Sequence, residues 1–190
     1  MGRILFYDIN NNYYLNIWRC KLMIPENVLQ KLNEQIKHEF FSAQYYLAMA
    51  AYCKEQDLDG FANFFIVQAE EERYHAMKFF NFIDELGETP IITGFEDPKR
   101  DFKSLEEVFE LSLEHEQHVT HLINSIMEIA QQEKHYPTVS FLNWFIDEQV
   151  EEETTMDNLL SKVKRIGESG PGIIMLDKEL AERSFTPEEE

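Results

Sequence analysis

Four stretches of this chain repeat apolar residues at alternating steps of four and three, and each repeat is broken near its middle by an acidic side chain. That period is the seam of an amphipathic helix, so the broken positions point at whatever the seams enclose. The first stripe reads Leu32, Ile36, Glu39, Ala43, Tyr46, Ala50, and the second Phe61, Phe65, Gln68, Glu72, His75, Phe79, Phe82, Leu86. The third reads Leu105, Phe109, Ser112, Glu116, Val119, Ile123, Ile126, Ala130, and the fourth Leu142, Phe145, Gln149, Glu152, Met156, Leu159, Val163, Ile166. A lone Glu on such a stripe usually snorkels to water along its methylenes. Four carboxylates turned into one bundle core cannot all do so. An unpaired buried carboxylate costs several kcal/mol, so the set needs protons or cations, and two divalent metal ions would balance it.

The chain has 190 residues, which suits one domain with a core between four helices of about 25 to 30 residues. Its formal charge of -19 and pI near 4.6 repel phosphate backbones and exclude nucleic acid as a natural partner; cations are the natural clients. Glu188, Glu189 and Glu190 form a solvated acidic tail over 185–190. Cys20 and Cys53 form no CxxC pair and no disulfide framework, which fits a reducing, cytoplasmic setting. The opening segment has apolar residues, but Asp8 and Asn10 to Asn12 interrupt it before it could form a signal core or span a membrane. Helical periodicity starts after Pro25, so residues 1–22 are expected to be an appendage outside a domain covering 23–184.

The spacing predicts helix A over Glu26 to Glu55, closed by the turn Asp57-Leu58-Asp59-Gly60, and helix B from Phe61 to about Leu86, closed by Gly87. The stretch from Glu88 to Lys103 holds Pro90, Gly94 and Pro98, with an extended-looking run at Ile91 to Thr93. Helix B should be about 39 Å long, and a linker of roughly 16 residues spans about 50 Å when extended. It can therefore run the length of the bundle and start helix C at the same end as helix B, a single-crossover topology. Ser104 and Glu107 form a capping-box signature for helix C, which runs to about Gln132. After the connection 133–138, helix D runs to about Arg165 before Gly167, and Gly170-Pro171-Gly172 precedes a short fifth helix from Ile173 to about Arg183. The fold class is all-α, a four-helix bundle with one long crossover.

Bundles that hold two iron or manganese ions take one Glu from each of two helices and a Glu-x-x-His pair from each of the other two. Here Glu39 and Glu116 are the single carboxylates, Glu72-x-x-His75 is one pair, and Gln149-x-x-Glu152 stands where the second would be. Each group sits about 11 to 14 residues from its helix start, hence at similar depth. Carboxylate oxygens with one imidazole suit Fe(II), and the lack of thiolates argues against a structural zinc cage. Hard anionic ligands favour Fe(III) over Fe(II), and the weaker ligand Gln149 should ease release of the second ion.

With LNEQIKHEF around Glu39, QAEEERYH ending at His75, LEHEQ around Glu116 and FLNWFIDEQVEEE around Gln149 and Glu152, the chain resembles the bacterial non-haem ferritins over residues 23 to about 184. The resemblance implies a ferritin-like fold and a ferroxidase centre with two Fe per subunit. Glu39, Glu72 and His75 would hold one iron, and Glu72 would bridge to a second held by Glu116 and Glu152, with Gln149 close by. It further implies oxidation of Fe(II) with dioxygen or hydrogen peroxide and storage of Fe(III) as an oxo-hydroxide mineral inside a homo-oligomer of 24 subunits. Glu71, Glu148 and Glu151 match a third iron site toward the cavity, and Tyr46 and Trp144 match aromatics that supply electrons during oxygen chemistry.

Haem is not expected, because a bacterioferritin needs a haem-ligating Met where this chain has Arg73, and a rubrerythrin would add a CxxC module. Glu70 and Glu153 read as solvated surface. His115, His118 and His121 lack the His-Glu-x-x-His spacing of zinc peptidases, since Val119 stands where the second His would be, so they too are expected on a solvated face.

Overall fold

A computed structural model describes residues 24–167 and 169–187, and among these it contains five helices and no strand. The appendage expected at 1–22 and the tail end at 188–190 lie outside the described residues. The helices are α1 (Glu26–Glu55), α2 (Asp59–Glu85), α3 (Leu105–Gln132), α4 (Tyr136–Ile166) and α5 (Gly170–Leu180). None of them is long and apolar enough to cross a membrane.

Three helix ends close in the same way. At Gly87, with φ 83°, the N–H of Gly87 donates to Asp84 O (2.9 Å) and that of Glu88 to Ile83 O (3.2 Å), which satisfies the last carbonyls of α2. Asp57 and Lys134, each with φ 57°, do the same for α1 and α3, with Leu58 N on Cys53 O at 3.0 Å and His135 N on Ala130 O at 2.8 Å. Neither is glycine, so each left-handed turn costs about 1 kcal/mol that the closing bonds must offset.

The starts differ from expectation at three helices. α2 begins at Asp59 rather than Phe61, because Asp177 of α5 accepts from Gly60 N (2.7 Å) and Phe61 N (3.0 Å) with one oxygen, acting as a cap supplied from far along the chain. α4 begins at Tyr136 with Pro137 in its first turn, where no N–H is needed. α5 is displaced three residues toward the N-terminus from its expected span, starting at Gly170 with Pro171 in its first turn. α3 starts as expected, with Ser104 Oγ accepting from Glu107 N at 3.1 Å. The Glu107 carboxylate takes Lys103 N (2.5 Å) and Lys99 Nζ (2.9 Å) instead of closing onto Ser104.

A Cβ at Gly60 would lie 1.6 Å from the Asp177 backbone oxygen. Gly60→Ala should therefore push α5 off the end of α2, losing packing and a cap together, for a cost of about 2–4 kcal/mol. Thermal unfolding of the purified protein checks this, and an unchanged midpoint would contradict the described docking.

Packing confirms the single-crossover order. Phe61 and Phe65 of early α2 both meet Phe109 of early α3, with centroids 6.0 and 5.2 Å apart, so the two helices start at the same end. α1 runs antiparallel to α3, as the pairs Asn27–Glu133 at one end and Met49–Ser112 toward the other show. The crossover lies along α1: Ile91 N donates to Asn33 Oδ1 at 2.6 Å, Phe95 meets Phe41, and Phe102 meets Tyr45 and Tyr52. From Asn33 to Tyr52 is about 28 Å of helix, so the connection does travel most of the bundle. The run at Ile91 to Thr93 pairs with no strand; it is strapped to α1 by Asn33.

The apolar core falls into two clusters. One gathers Tyr46, Met49, Phe61, Phe65, Phe109, Met156 and their neighbours, and the other Leu32, Ile36, Phe79, Ile123, Leu142 and Phe145. Between them lies a layer of buried polar residues, and that layer is the site.

Candidate metal centre

All six residues picked from the broken stripes are buried: Glu39, Glu72, His75, Glu116, Gln149 and Glu152. Each sits mid-helix, so rigid backbone on all four sides presents it to the layer. Glu39 of α1 meets Glu72 and His75 of α2 so closely that one ligand atom from each lies within 4.8 Å of the others. His75 Nδ1 is 3.6 Å from Glu72 Oε2, and its Nε2 is 3.6 Å from Glu148 Oε1 of α4. Glu39 Oε1 accepts from Gln35 Nε2 at 3.0 Å, while its Oε2 is buried without a hydrogen-bond partner. An orphaned carboxylate oxygen facing a second carboxylate and an imidazole is the arrangement a divalent cation completes.

The other half of the layer is closed by protein hydrogen bonds. Glu116 accepts from the Tyr46 hydroxyl on one oxygen and from Gln149 Nε2 on the other at 3.3 Å. Gln149 also donates to Glu116 O (3.2 Å) and Thr120 Oγ1 (3.2 Å), so its NH2 faces α3 and holds Glu116 in place. Glu152 accepts from Gln68 Nε2 at 2.8 Å, and Gln68 reaches Glu72 at 3.3 Å. The oxygen of the Gln68 amide is itself buried without a partner. Thus Glu39, Glu72 and His75 form one tight cluster, Gln68 links its Glu72 to Glu152, and Tyr46 and Gln149 fix Glu116 beside it.

Electrostatics in the layer is asymmetric. Burial, and then the charge of Glu72, push Glu39 and Glu152 up to about 8, and burial with the charges of Glu72 and Glu152 holds Glu116 well above the usual carboxylate range. Burial works against Glu72 as well, but the hydrogen bond and charge of His75 outweigh it and hold Glu72 below its ordinary value. The carboxylates of Glu148 and Glu72 in turn overcome burial at His75 and hold its ring protonated well above the ordinary range. The raised acids Glu39, Glu116 and Glu152 hold their protons more strongly than free carboxylates, so a cation entering the layer competes with those protons.

Residues expected around the layer divide. Trp144 lies edge-on to His75, centroids 5.4 Å apart, and Tyr46 stacks on Phe65 at 5.9 Å. Glu148 reaches His75, Glu71 is engaged by Arg183, and Glu151 is exposed on α4. Glu153 is half-buried and accepts from Thr120 Oγ1 at 2.6 Å, so it is not the solvated surface residue expected; Glu70 is exposed.

His115 is the larger correction. Rather than facing solvent it is half-buried between α1 and α3, with Nε2 2.8 Å from Ser42 Oγ and its ring 5.2 Å from Tyr45 and 5.9 Å from Tyr46. Burial pushes it down to about 4, so it is neutral. His118 and His121 are exposed as expected. The reason is rotational: His115 is one residue before the inward Glu116, at the edge of the stripe, and large aromatics on α1 cover that edge.

Gln35 and Gln68 were not singled out, although they position Glu39 and Glu152. Each stands four residues before an inward Glu on its own helix, and this amide-before-acid spacing was the available signal. Arg183 had no local signal at all.

Residues 29–166 match the model of a family described as a ferritin-like domain. The chain is 46% identical over 166 residues to the bacterial non-heme ferritin of Staphylococcus aureus (strain USA300), and equally to that of Staphylococcus haemolyticus (strain JCSC1435). Each match covers 87% of this chain and all of the relative. Among solved structures, a closed form of the Archaeoglobus fulgidus ferritin engineered by site-directed mutagenesis superposes with a TM-score of 0.85 at 41% identity, over 86% of this chain and all of that one. The open-pore ferritin of the same archaeon gives 0.84 at 41%, over 85% and all.

Proposed function

The chain belongs to the ferritin family, and from that premise we propose that it stores iron by oxidising Fe(II) in the polar layer and depositing Fe(III) oxo-hydroxide inside a shell of 24 copies. The observation that carries this reading is the orphaned oxygen of Glu39 beside Glu72 and His75. Under it, Glu39, Glu72 and His75 hold the first Fe(II), Glu72 bridges to a second, and Glu116 and Glu152 complete the second position. Gln149 stays close by as a hydrogen-bond donor to Glu116.

Four carboxylates carry the charge that two Fe(II) ions cancel, so loading with ions relieves the burial penalty that the acids otherwise meet by keeping their protons. Each Fe(II) gives one electron to dioxygen, which leaves reduced by two electrons as peroxide, or to hydrogen peroxide, which is reduced to water with protons from solvent. Oxidation adds two positive charges that the layer does not match, which favours movement of Fe(III) with hydroxide toward the cavity. Tyr46, bonded to Glu116, and Trp144, against His75, are placed to donate an electron when only one iron is present.

Assembly is supported by an apolar groove across α1, α2 and the crossover, lined by Phe40, Leu47, Ile66, Ile92 and Phe95, of which Ile92 is 58% and Leu47 45% exposed. An apolar face of that kind on an acidic chain is a surface for another copy.

Aerobic addition of Fe(II) tests the function. A transient blue diferric species within seconds and a scattering mass of 24 copies are expected; iron oxidising no faster than in buffer would reduce the protein to a passive binder.

A further inference from the structure

Beyond α5 the segment 181–187 runs back along α2 toward the metal layer. Asn63 of α2 donates to the carbonyls of Leu180 (3.2 Å), Ala181 (3.4 Å) and Arg183 (3.0 Å), and Phe185 packs on Tyr74 with centroids 5.6 Å apart. Between these anchors the Arg183 guanidinium lies over the Phe64 ring at 4.3 Å, donates to Phe64 O at 3.3 Å, and forms an ion pair with Glu71. Both side chains are largely covered, at 22% and 16% exposure. Glu71 is the residue next to Glu72 and one of the three acids expected to hold a cavity-side ion.

We propose that Arg183 is a built-in cation of the cavity-side carboxylates: it supplies at Glu71 the positive charge that a third metal ion would bring, so loading that position requires segment 181–187 to leave α2. The proposal rests on the ferroxidase reading of the layer and specifies how many ions this chain holds at once. Physically, a planar guanidinium seated on an aromatic face and paired with a covered carboxylate is preorganised, and a divalent ion sharing Glu71 would meet its charge at close range. The two inner positions do not use Glu71 and are untouched by this competition. The chain would thus separate oxidation, in the layer, from residence at the cavity wall.

Anaerobic calorimetric titration of the assembled full-length protein with Zn(II) tests this. Wild type should bind two ions tightly per chain and a third at least about tenfold more weakly, and Arg183→Gln should tighten only the third, by about tenfold or more. Adding Glu71→Gln to that variant should abolish the third ion, which separates it from binding elsewhere on an acidic surface. Arg183→Lys keeps the charge but not the fork, and should bind the third ion more tightly than wild type but by less than about tenfold, a readout against wild type that stands even if the Gln variant folds poorly. Equal third-ion affinity in wild type and Arg183→Gln, or a third ion that survives Glu71→Gln, would overturn the proposal. Failure of the underlying reading looks different: the first two ions would then be missing from wild type itself, which overturns both.

Discussion

Glu72→Ala should lower the initial rate of Fe(II) oxidation by on the order of 100-fold or more while particle size stays that of wild type. Losing only an outer partner of a ligand commonly costs 10- to 100-fold in metal affinity or activity, and Glu72 is the acid that both proposed positions share. It lies in the tight cluster with Glu39 and His75, and it is also the neighbour whose charge raises Glu39, Glu116 and Glu152. Removing it takes one carboxylate from His75, but the ring keeps Glu148 within 3.6 Å as a partner, and the six groups of the layer are held by four separate helices, so the bundle itself should survive. We expect the unfolding free energy of the metal-free variant to change by about 1–2 kcal/mol, in the range of ordinary substitutions. Stopped-flow oxidation with light scattering on the same sample is the measurement. A wild-type rate in a correctly assembled Glu72→Ala shell would remove the layer from the mechanism.

The metal-free protein should become less stable as pH rises from about 5 to above 8, and divalent cations should erase that decline. Glu39 and Glu152 titrate near 4.5 when unfolded and near 8 in the fold, so between those values the folded state holds more protons. Stability is then fully present below 4.5 and falls as pH climbs through the folded value, by up to about 1.4 kcal/mol per pH unit for each group. Glu116, displaced the same way, adds to the slope. His75 is raised above its ordinary 6.5, so its contribution is present below that pH and is also lost on going up through its folded value. Glu72 runs opposite: held below 4.5, it gives stability present above that pH and lost only as pH falls further, outside this window. Zn(II), which replaces the protons, should therefore raise the melting temperature more at pH 8.5 than at pH 6. Equal increments at the two pH values would show that the acids are already ionised in the empty fold.

The bundle could be read from the chain because a seam of period 3.6 is a local property, visible residue by residue along one helix. The six inward groups were legible for the same reason: each breaks a pattern that its own neighbours define. Length arithmetic carried the crossover, since a connection able to span the bundle leaves little choice about where α3 begins. What escaped depends on partners far along the chain. Nothing near Gly60 announces that Asp177 will cap α2, and nothing near Ala181 announces that Arg183 will find Glu71. The left-handed turns at Asp57 and Lys134 escaped because neither carries the glycine that normally marks one. His115 was misplaced because a residue at a seam's edge is covered or bare according to the bulk of side chains on the opposite helix, here Phe41, Tyr45 and Tyr46.

The single oxygen of Asp177 that serves both Gly60 and Phe61 ties the last helix to the first turn of the second. Unwinding α5 uncaps α2, and the same stretch of α2 carries Asn63 and Phe64, which hold the chain beyond α5. Those contacts share partners, so breaking one weakens the next. The stretch 170–187 is thus a cooperative unit that opens together or stays shut, and hydrogen exchange along it should show one opening energy where a loose tail would show a gradient.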